Sequence, residues 1–474
     1  MKQISVVLFV LVFSVTLSAQ LRWTGTWGGT NGENGTDVIL DGNNLLICGS
    51  QKTAETIEDD ILLLNISPLG VENWHRDTQV NLWDRANAII PLSGGGFGYA
   101  GYRGAQSSTW DYVLGTTNAE GINNWVQTYG VGTKHEKAEA LAQRLDGGFV
   151  VVGNNITDYQ GWIVLTDANG TQTGTQTLNY TTETYAFDAI TSPTGHILVV
   201  GTQKASSNAD VLLVMLNVAG TEIWHHNLGG SNSHYGYCAN LATDGYIIGG
   251  NKKSGTEYDL MLMKATEEGE MVWVQTYNVD AYEQFNDVMQ TADGGFLAVG
   301  STGNYTTKDW YILKTDALGV EEWHVRMGGT GNDECNGVVT LPDENYFLVG
   351  FTDSYGAGQT DVWMATVTPT GGVLTDEQVM PLVTNRALSC YPNPFSGEAK
   401  LKLNLTKGEK GTVSIYNIKG QKVRDLFCDY LAMCAHEIKW DAKDNSGNLL
   451  APGVYFARYS NSTQSEVLKL LLMR

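Results

Sequence analysis

The sequence predicts an all-β protein: a seven-bladed β-propeller followed by a C-terminal immunoglobulin-like β-sandwich. Three observations carry that prediction. A glycine-bearing strand recurs at near-constant spacing, no long amphipathic helical pattern is found, and 55 glycines against 9 prolines fit many tight turns between short strands.

The first residues, MKQISVVLFVLVFSVTLSAQ, hold one Lys, a short apolar run and small residues ahead of Gln20. That is the pattern of a secretory signal cut after Ala19, so residues 1–19 are set aside as a signal peptide. No later stretch is long and apolar enough to cross a membrane as a helix. The mature chain is therefore expected outside the cell or on its outer surface, reached through the periplasm.

Residues 20–375 carry the repeat. The strand FLAVGST recurs as LLICGSQ, FGYAGYR, FVVVGNN, ILVVGTQ, YIIGGNK and YFLVGFT, with glycines at Gly49, Gly101, Gly153, Gly201, Gly249, Gly300 and Gly350. A period near fifty in seven copies is the signature of a circular repeat fold. Each copy has one grammar: a short strand, a tight turn, the glycine strand, a polar loop ending in Asp, an apolar strand, a second turn and a strand opened by Trp. Four strands of this kind form one antiparallel propeller blade. The Trp recurs at Trp74, Trp125, Trp224, Trp273 and Trp323, with Thr175 once in its place. The mature N-terminus, RWTGTWGG, matches the Trp strand, whereas the end of the seventh copy lacks it. The strand around Trp23–Trp27 is thus expected to complete the last blade; the alternative is that residues 373–380 do so.

The turn-plus-Trp phrase, as in TDALGVEEW and NVAGTEIW, resembles the tryptophan-docking repeat of quinoprotein-type propellers over residues 22–375. The resemblance implies that the Trp packs between neighbouring blades. The residues of a quinone site are not found with it, so it implies architecture rather than redox chemistry.

After a linker at 376–386, the segment 387–474 resembles the type A C-terminal sorting domain of the Bacteroidetes type IX secretion system. The matching phrases are YPNPF (Tyr391, Pro392, Asn393, Pro394, Phe395), VSIYNIKGQKV with Gly420, HEIKWDAKDNSGNLLAPGVYFARY with Trp440, Gly453 and Tyr455, and the terminal EVLKLLLMR. Alternation in AKLKLNL, TVSIYNI and GVYFARY independently reads as sandwich strands. Each proline fixes its own φ and biases the residue before it towards extended geometry, giving a stiff entry to the first strand. The resemblance implies recognition by the outer-membrane translocon and removal by a sortase-like peptidase. Cys428 and Cys434 depart from the family pattern; they are either a hairpin clip in an oxidising periplasm or two unrelated thiols.

Charge is unevenly placed. From Arg386 onward there are 13 Lys and Arg against 8 Asp and Glu, which leaves residues 3–384 with a net charge of −28. An acidic body repels phosphate backbones and argues against nucleic acid as a partner. Just before the innermost strand an acid recurs, at Glu33, Asp84, Glu136, Glu183, Glu283 and Asp333, with His234 in the fifth copy. Such a ring at the channel mouth suits Ca²⁺ or a cationic ligand if the oxygens converge. Repetition in nearly every copy instead favours acids that each accept backbone N–H bonds from their own loop. A second acid opens the third strand (Asp60, Asp111, Asp210, Asp259, Asp309, Asp361, with Gly161 in the third copy) and reads as a loop tie. His75, His225 and His324 follow the Trp and read as exposed.

Calcium aside, no cofactor is evident, because no HExxH, nucleophile elbow, phosphate loop or paired-Cys metal motif occurs. The function read from this is a binding or display module for an extracellular glycan, polymer or protein. Aromatic contacts would come from Trp83, Trp110, Tyr235, Tyr282, Tyr305 and Tyr355. The alternatives are a hydrolase with carboxylates at the channel mouth and a structural envelope component.

Overall fold

In the computed structural model the chain divides into two compact units, 1–382 and 383–474, a boundary inside the segment read as a linker. The structure describes residues 21–369 and 388–473, less 53–58, 69, 78–82, 105–108, 182, 206–207, 305, 392–394, 396, 398, 405–408, 418, 420, 432–434 and 461–464. The segments read as signal peptide and linker, Pro392, Asn393, Pro394, Gly420, Tyr305 and the Cys428–Cys434 question therefore lie outside the described residues. Those described are strands and turns, with no helix among them.

The first unit is built from antiparallel four-stranded meanders. In one, Tyr282–Gln290, Phe296–Gly303, Lys308–Thr315 and Glu321–Met327 pair in order. Side chains hold its turns: Asp293 Oδ1 accepts the Gly295 N–H (3.0 Å), and Asp316 Oδ1 accepts from Leu318 (2.8 Å) and Val320 (2.9 Å). Six meanders of this form run from Glu33 to Met327, two pairs of them bridged edge to edge at Gln160–Thr184 and Tyr258–Tyr282. The seventh takes three strands from the end of the repeat, Asp333–Thr340, Tyr346–Thr352 and Asp361–Val367. Its fourth strand is Leu21–Trp27, antiparallel to Asp361–Val367 with Thr24 opposite Ala365. The expected contribution of the N-terminal strand is thus observed.

The glycine and apolar strands are buried almost throughout, because both faces of each sheet are covered. One apolar cluster joins Leu297, Val299 and Ile312 to Leu348 and Ala365 of the next meander. Another joins Phe347, Val349 and Val362 of the seventh meander to Val38, Leu45 and Ile47 of the first. Each such aliphatic side chain contributes about 1.5–3 kcal/mol on burial. The Trp strands lock the same neighbours from outside. A Cβ on Gly121 would stand 2.4 Å from the Trp74 ring, one on Gly170 2.6 Å from Trp125 and one on Gly269 2.6 Å from Trp224, so each indole lies on a turn of the following meander. Where Thr175 replaces Trp, Leu165 covers Gly220 instead. Trp27 Nε1 donates to Glu72 Oε2 (2.8 Å), linking the seventh meander to the first.

The recurrent glycine has a steric cause. A Cβ on Gly201 would lie 1.8 Å from the Tyr185 carbonyl oxygen, and every copy repeats the approach. In the fifth copy the glycine so placed is Gly250, facing the Tyr235 carbonyl, rather than Gly249. Register also separates two buried cysteines of the fifth and seventh copies: Cys335 pairs with Gly350 but Cys238 with Gly249, so they do not occupy corresponding positions.

The second unit has two sheets, one of Leu388–Tyr391, Ala399–Asn404 and Ala435–Trp440, the other of Glu409–Asn417, Lys422–Leu431, Gly453–Ser460 and Ser465–Leu472. Phe395, Trp440 and Tyr455 meet in its core, with ring centroids 5.4 and 5.5 Å apart. Tyr455 Oη donates back to the Ala451 carbonyl at 2.7 Å, a corner contact typical of such sandwiches.

Candidate functional site

In every meander the first strand slips by one residue against the second, immediately after the position facing the recurrent glycine. A β-bulge of this kind re-aims a side chain. The residues left outside the ladder are Thr36, Asn87, Glu139, Phe187, Tyr237, Asn286 and Asn336. All seven line one cavity of about 290 Å³, together with Arg85 and Gln284.

Several bulge residues also tie each meander to the next. Thr36 Oγ1 donates to the Ala86 carbonyl (2.7 Å), Asn87 Nδ2 to Ala138 (2.8 Å) and Asn286 Nδ2 to Cys335 (2.9 Å). Asn336 Nδ2 donates to the Gly35 carbonyl (2.9 Å), from the last meander to the first. The residue after the bulge gives a second tie in three places. Asp37 accepts from Ile89 N–H (2.9 Å), Asp188 from Ala239 (2.8 Å) and Asp287 from Val338 (2.9 Å). Burial pushes Asp37 up to about 7, Asp188 to about 6 and Asp287 well above the carboxylate range.

The cavity wall is of two kinds. One stretch is polar: Asn87 Nδ2 donates to Glu139 Oε2 (3.1 Å), Gln284 Nε2 to Asn286 Oδ1 (2.8 Å), and Asn286 Nδ2 to Asn336 Oδ1 (3.2 Å). Burial raises the Glu139 carboxyl to about 7 against the lowering by Lys137 and Arg85. Among the described lining residues Glu139 is the single carboxylate, which leaves the paired-acid arrangement of a glycoside hydrolase without its second member there. The other stretch is aromatic. Phe187 and Tyr237 line it, 5.1 Å apart, and beyond the lining an arc continues through Tyr185, 6.0 Å from Phe187, and through Tyr235, Tyr258 and Tyr282 at centroid spacings of 5.3–6.4 Å.

The structure does not bring the recurring acids into this cavity. Glu33, Asp84, Glu136, Glu283 and Asp333 are buried and alternate away from the bulge residues along their strands. Glu33 accepts Gly29 N–H (3.1 Å), Glu283 accepts Val279 (2.7 Å) and Leu260 (3.0 Å), and Asp333 accepts Gly329 (2.9 Å). Asp84 receives Arg103 at 2.6 Å. Glu136 follows a loop one residue longer; burial raises its carboxyl, and the backbone N–H of Val131, the counterpart of Val279, opposes that rise. Glu183 is displaced by one residue from the series; Thr184 holds the equivalent position, and Glu183 pairs with Lys204 (2.9 Å). His234 is buried, its pKa lowered by burial and by Lys252. Among the described residues no three His, Cys, Asp or Glu side chains come together to hold a metal ion.

The third-strand acids act within loops. Asp361 Oδ2 accepts Ala357 N–H (3.1 Å), and Asp111, Asp210 and Asp309 each place Oδ1 over a glycine that ends the outer strand. His75, His225 and His324 are exposed, each bonded through Nδ1 to the Glu three residues before it (2.7–2.8 Å). Of the aromatic candidates, Tyr235 and Tyr282 belong to the arc. Trp110 stacks beside Tyr102 and His135, Trp83 is half-buried, and exposed Tyr355 donates to the Gly328 carbonyl (2.7 Å). Sequence reasoning missed the bulge residues. Their signal was the one-residue slip, which the repeat spacing alone does not reveal.

Residues 392–465 match the FlgD Ig-like domain family. No curated protein sequence matches the chain. Similar solved structures include PorZ of Porphyromonas gingivalis, described as an essential bacterial surface component of the type IX secretion system (13% identity, TM-score 0.38, 92% of this chain). They also include a protein of unknown function from Dyadobacter fermentans (10%, 0.41, 74% of this chain and 99% of that one) and Sqt1 of Chaetomium thermophilum (12%, 0.42, 70% and 83%). The present chain spans 59% of the PorZ structure.

Proposed function

We propose that this is a secreted or surface-displayed binding module, in which residues 20–375 close as a seven-bladed β-propeller and residues 387–474 serve as a type IX sorting domain. The observation that carries the reading is the single cavity lined by one bulge residue from every meander, first and last included. The Asn336–Gly35 and Trp27–Glu72 hydrogen bonds support closure of the ring. A small concave site with an aromatic stretch and a few fixed amides suits a glycan, whose ring faces stack and whose hydroxyls hydrogen-bond. In this reading the translocon recognises the sandwich and a sortase-like peptidase removes it.

The test is glycan-array binding by the purified chain and by Tyr237→Ala, with and without calcium. Binding by the parent that Tyr237→Ala loses is the expected result. Turnover of a polysaccharide panel without retained binding would replace the module by a hydrolase.

A further inference from the structure

Residues 3–384 hold 15 Lys and Arg against 43 Asp and Glu, so the placement of the few cations is informative. At the hairpin-turn end of the meanders the cations are spoken for. Arg144 pairs with Asp146 (3.0 Å), Lys264 with Asp244 (2.7 Å) and Lys314 with Asp293 (2.8 Å). Around the cavity the pattern differs. Arg85 lines the cavity with its Nε buried and without a hydrogen-bond acceptor. Lys137, two residues before Glu139 on the same strand face, stands over Trp110 (4.3 Å) and Tyr102 (4.6 Å), and Lys253 stands over Tyr258 (5.4 Å). Among the described residues, none of these three cations has a carboxylate within ion-pairing distance. Lys308 stands over Tyr282 (5.1 Å) and shares its charge with Glu334 (2.9 Å).

Cations without a bonded carboxylate, two of them seated on aromatic faces, stand beside a cavity lined in part by Phe187 and Tyr237. The Glu139 carboxyl that faces Arg85 and Lys137 is raised by burial to about 7. Together they form a surface that recognises rings carrying negative charge. We propose that the cavity and its mouth bind an acidic polysaccharide: sugar rings lie against Phe187, Tyr237 and Tyr235, and their carboxylate or sulfate groups pair with Arg85 and Lys137. This rests on the binding-module reading and names its ligand class. The net acidity of the surrounding body disfavours nucleic acid, whose charge is continuous along the backbone, while leaving a local cationic pocket open to spaced acid groups.

The experiment titrates the purified full chain with polygalacturonate, dextran sulfate, neutral dextran and single-stranded DNA. Binding of either acidic glycan at least about tenfold tighter than dextran, weakening several-fold as NaCl rises from roughly 50 to 300 mM, is expected. The carboxylated and sulfated arms tell which acid group is taken. The double variant Arg85→Gln/Lys137→Gln should lose about tenfold for the acidic glycan at an unchanged unfolding midpoint, with dextran affinity unmoved. Arg85→Lys should recover part of that loss. Equal affinity for dextran and polygalacturonate overturns the inference and leaves the binding module standing. DNA bound tighter than both acidic glycans overturns it in favour of a general polyanion surface. No polysaccharide bound at either salt removes both readings.

Discussion

Glu139 lies half-buried between the Asn87 amide and two cations, Arg85 and Lys137, and burial lifts its carboxyl to about 7. Neutralising it removes a negative charge beside Arg85, so affinity for an acidic glycan should rise as pH falls from 8 to 6. Glu139→Gln should hold the high-affinity value across that range; titration calorimetry at the two pH values checks both. Stability follows the same sign. Asp37, Asp188 and Glu139 have folded pKa values of about 6–7, above those of an unfolded chain. Their contribution is complete below the ordinary carboxylate pKa and is lost as pH rises through 6–7. Asp293 behaves oppositely. Burial pushes it up, but the bonds from Lys314, Thr291 and Gly295 outweigh that and hold it at about 2, so its contribution fails only in strong acid. The unfolding midpoint should therefore rise between pH 8 and pH 5.5, and less so in Asp37→Asn. At Gly201 the constraint is spatial: Gly201→Ala places a methyl against the Tyr185 carbonyl and should cost about 1–3 kcal/mol or more, read by denaturant unfolding.

The outer Trp strand earns its place by docking on the next meander's turn. Trp224→Ala should destabilise the first unit by about 3 kcal/mol, since an indole packed across two sheets leaves a void neither can fill. This packing is expected from the resemblance of the turn-plus-Trp phrase to tryptophan-docking repeats; the fixed spacing alone marks the positions. The partnership of Leu21–Trp27 with the last meander was legible in the sequence, since RWTGTWGG repeats the pattern of the Trp strands. The cavity was not. Its residues share only an unpaired register position, and their chemistry differs from copy to copy, as Asn87, Glu139 and Phe187 show. Repetition marked the acids that hold loops and drew attention to the mouth, whereas the residues that converge do not repeat. Glu183 shows the cost of aligning by residue type: a one-residue shift put a half-buried ion-pair partner into a series of buried acids.

At the scale of the whole molecule, the two units carry separate cores and, in the proposed reading, separate tasks. Of the phrases that resemble a sorting domain, Phe395, Trp440 and Tyr455 meet in the interior of the sandwich, so in the proposed reading that part of the motif specifies the fold and recognition falls to other surfaces. Fused to a periplasmic reporter in a host with a type IX pathway, residues 387–474 should carry it to the cell surface. Trp440→Ala should abolish that export together with folded sandwich signal in circular dichroism. Export that survives loss of the folded signal would locate recognition in a linear stretch instead.

The pairing of Leu21–Trp27 with Asp361–Val367 joins backbone made early in synthesis to backbone made late; Trp363 Nε1 reaches Thr24 Oγ1 across 339 positions of chain. A growing polypeptide has nothing to seat that strand on until the repeat is finished. Six sheets can form in turn as they emerge, while the seventh lacks its rim and its edge stays open. Final locking is thereby postponed until the last repeat has been made, so the seventh sheet gains its rim only when the rest of the ring is in place.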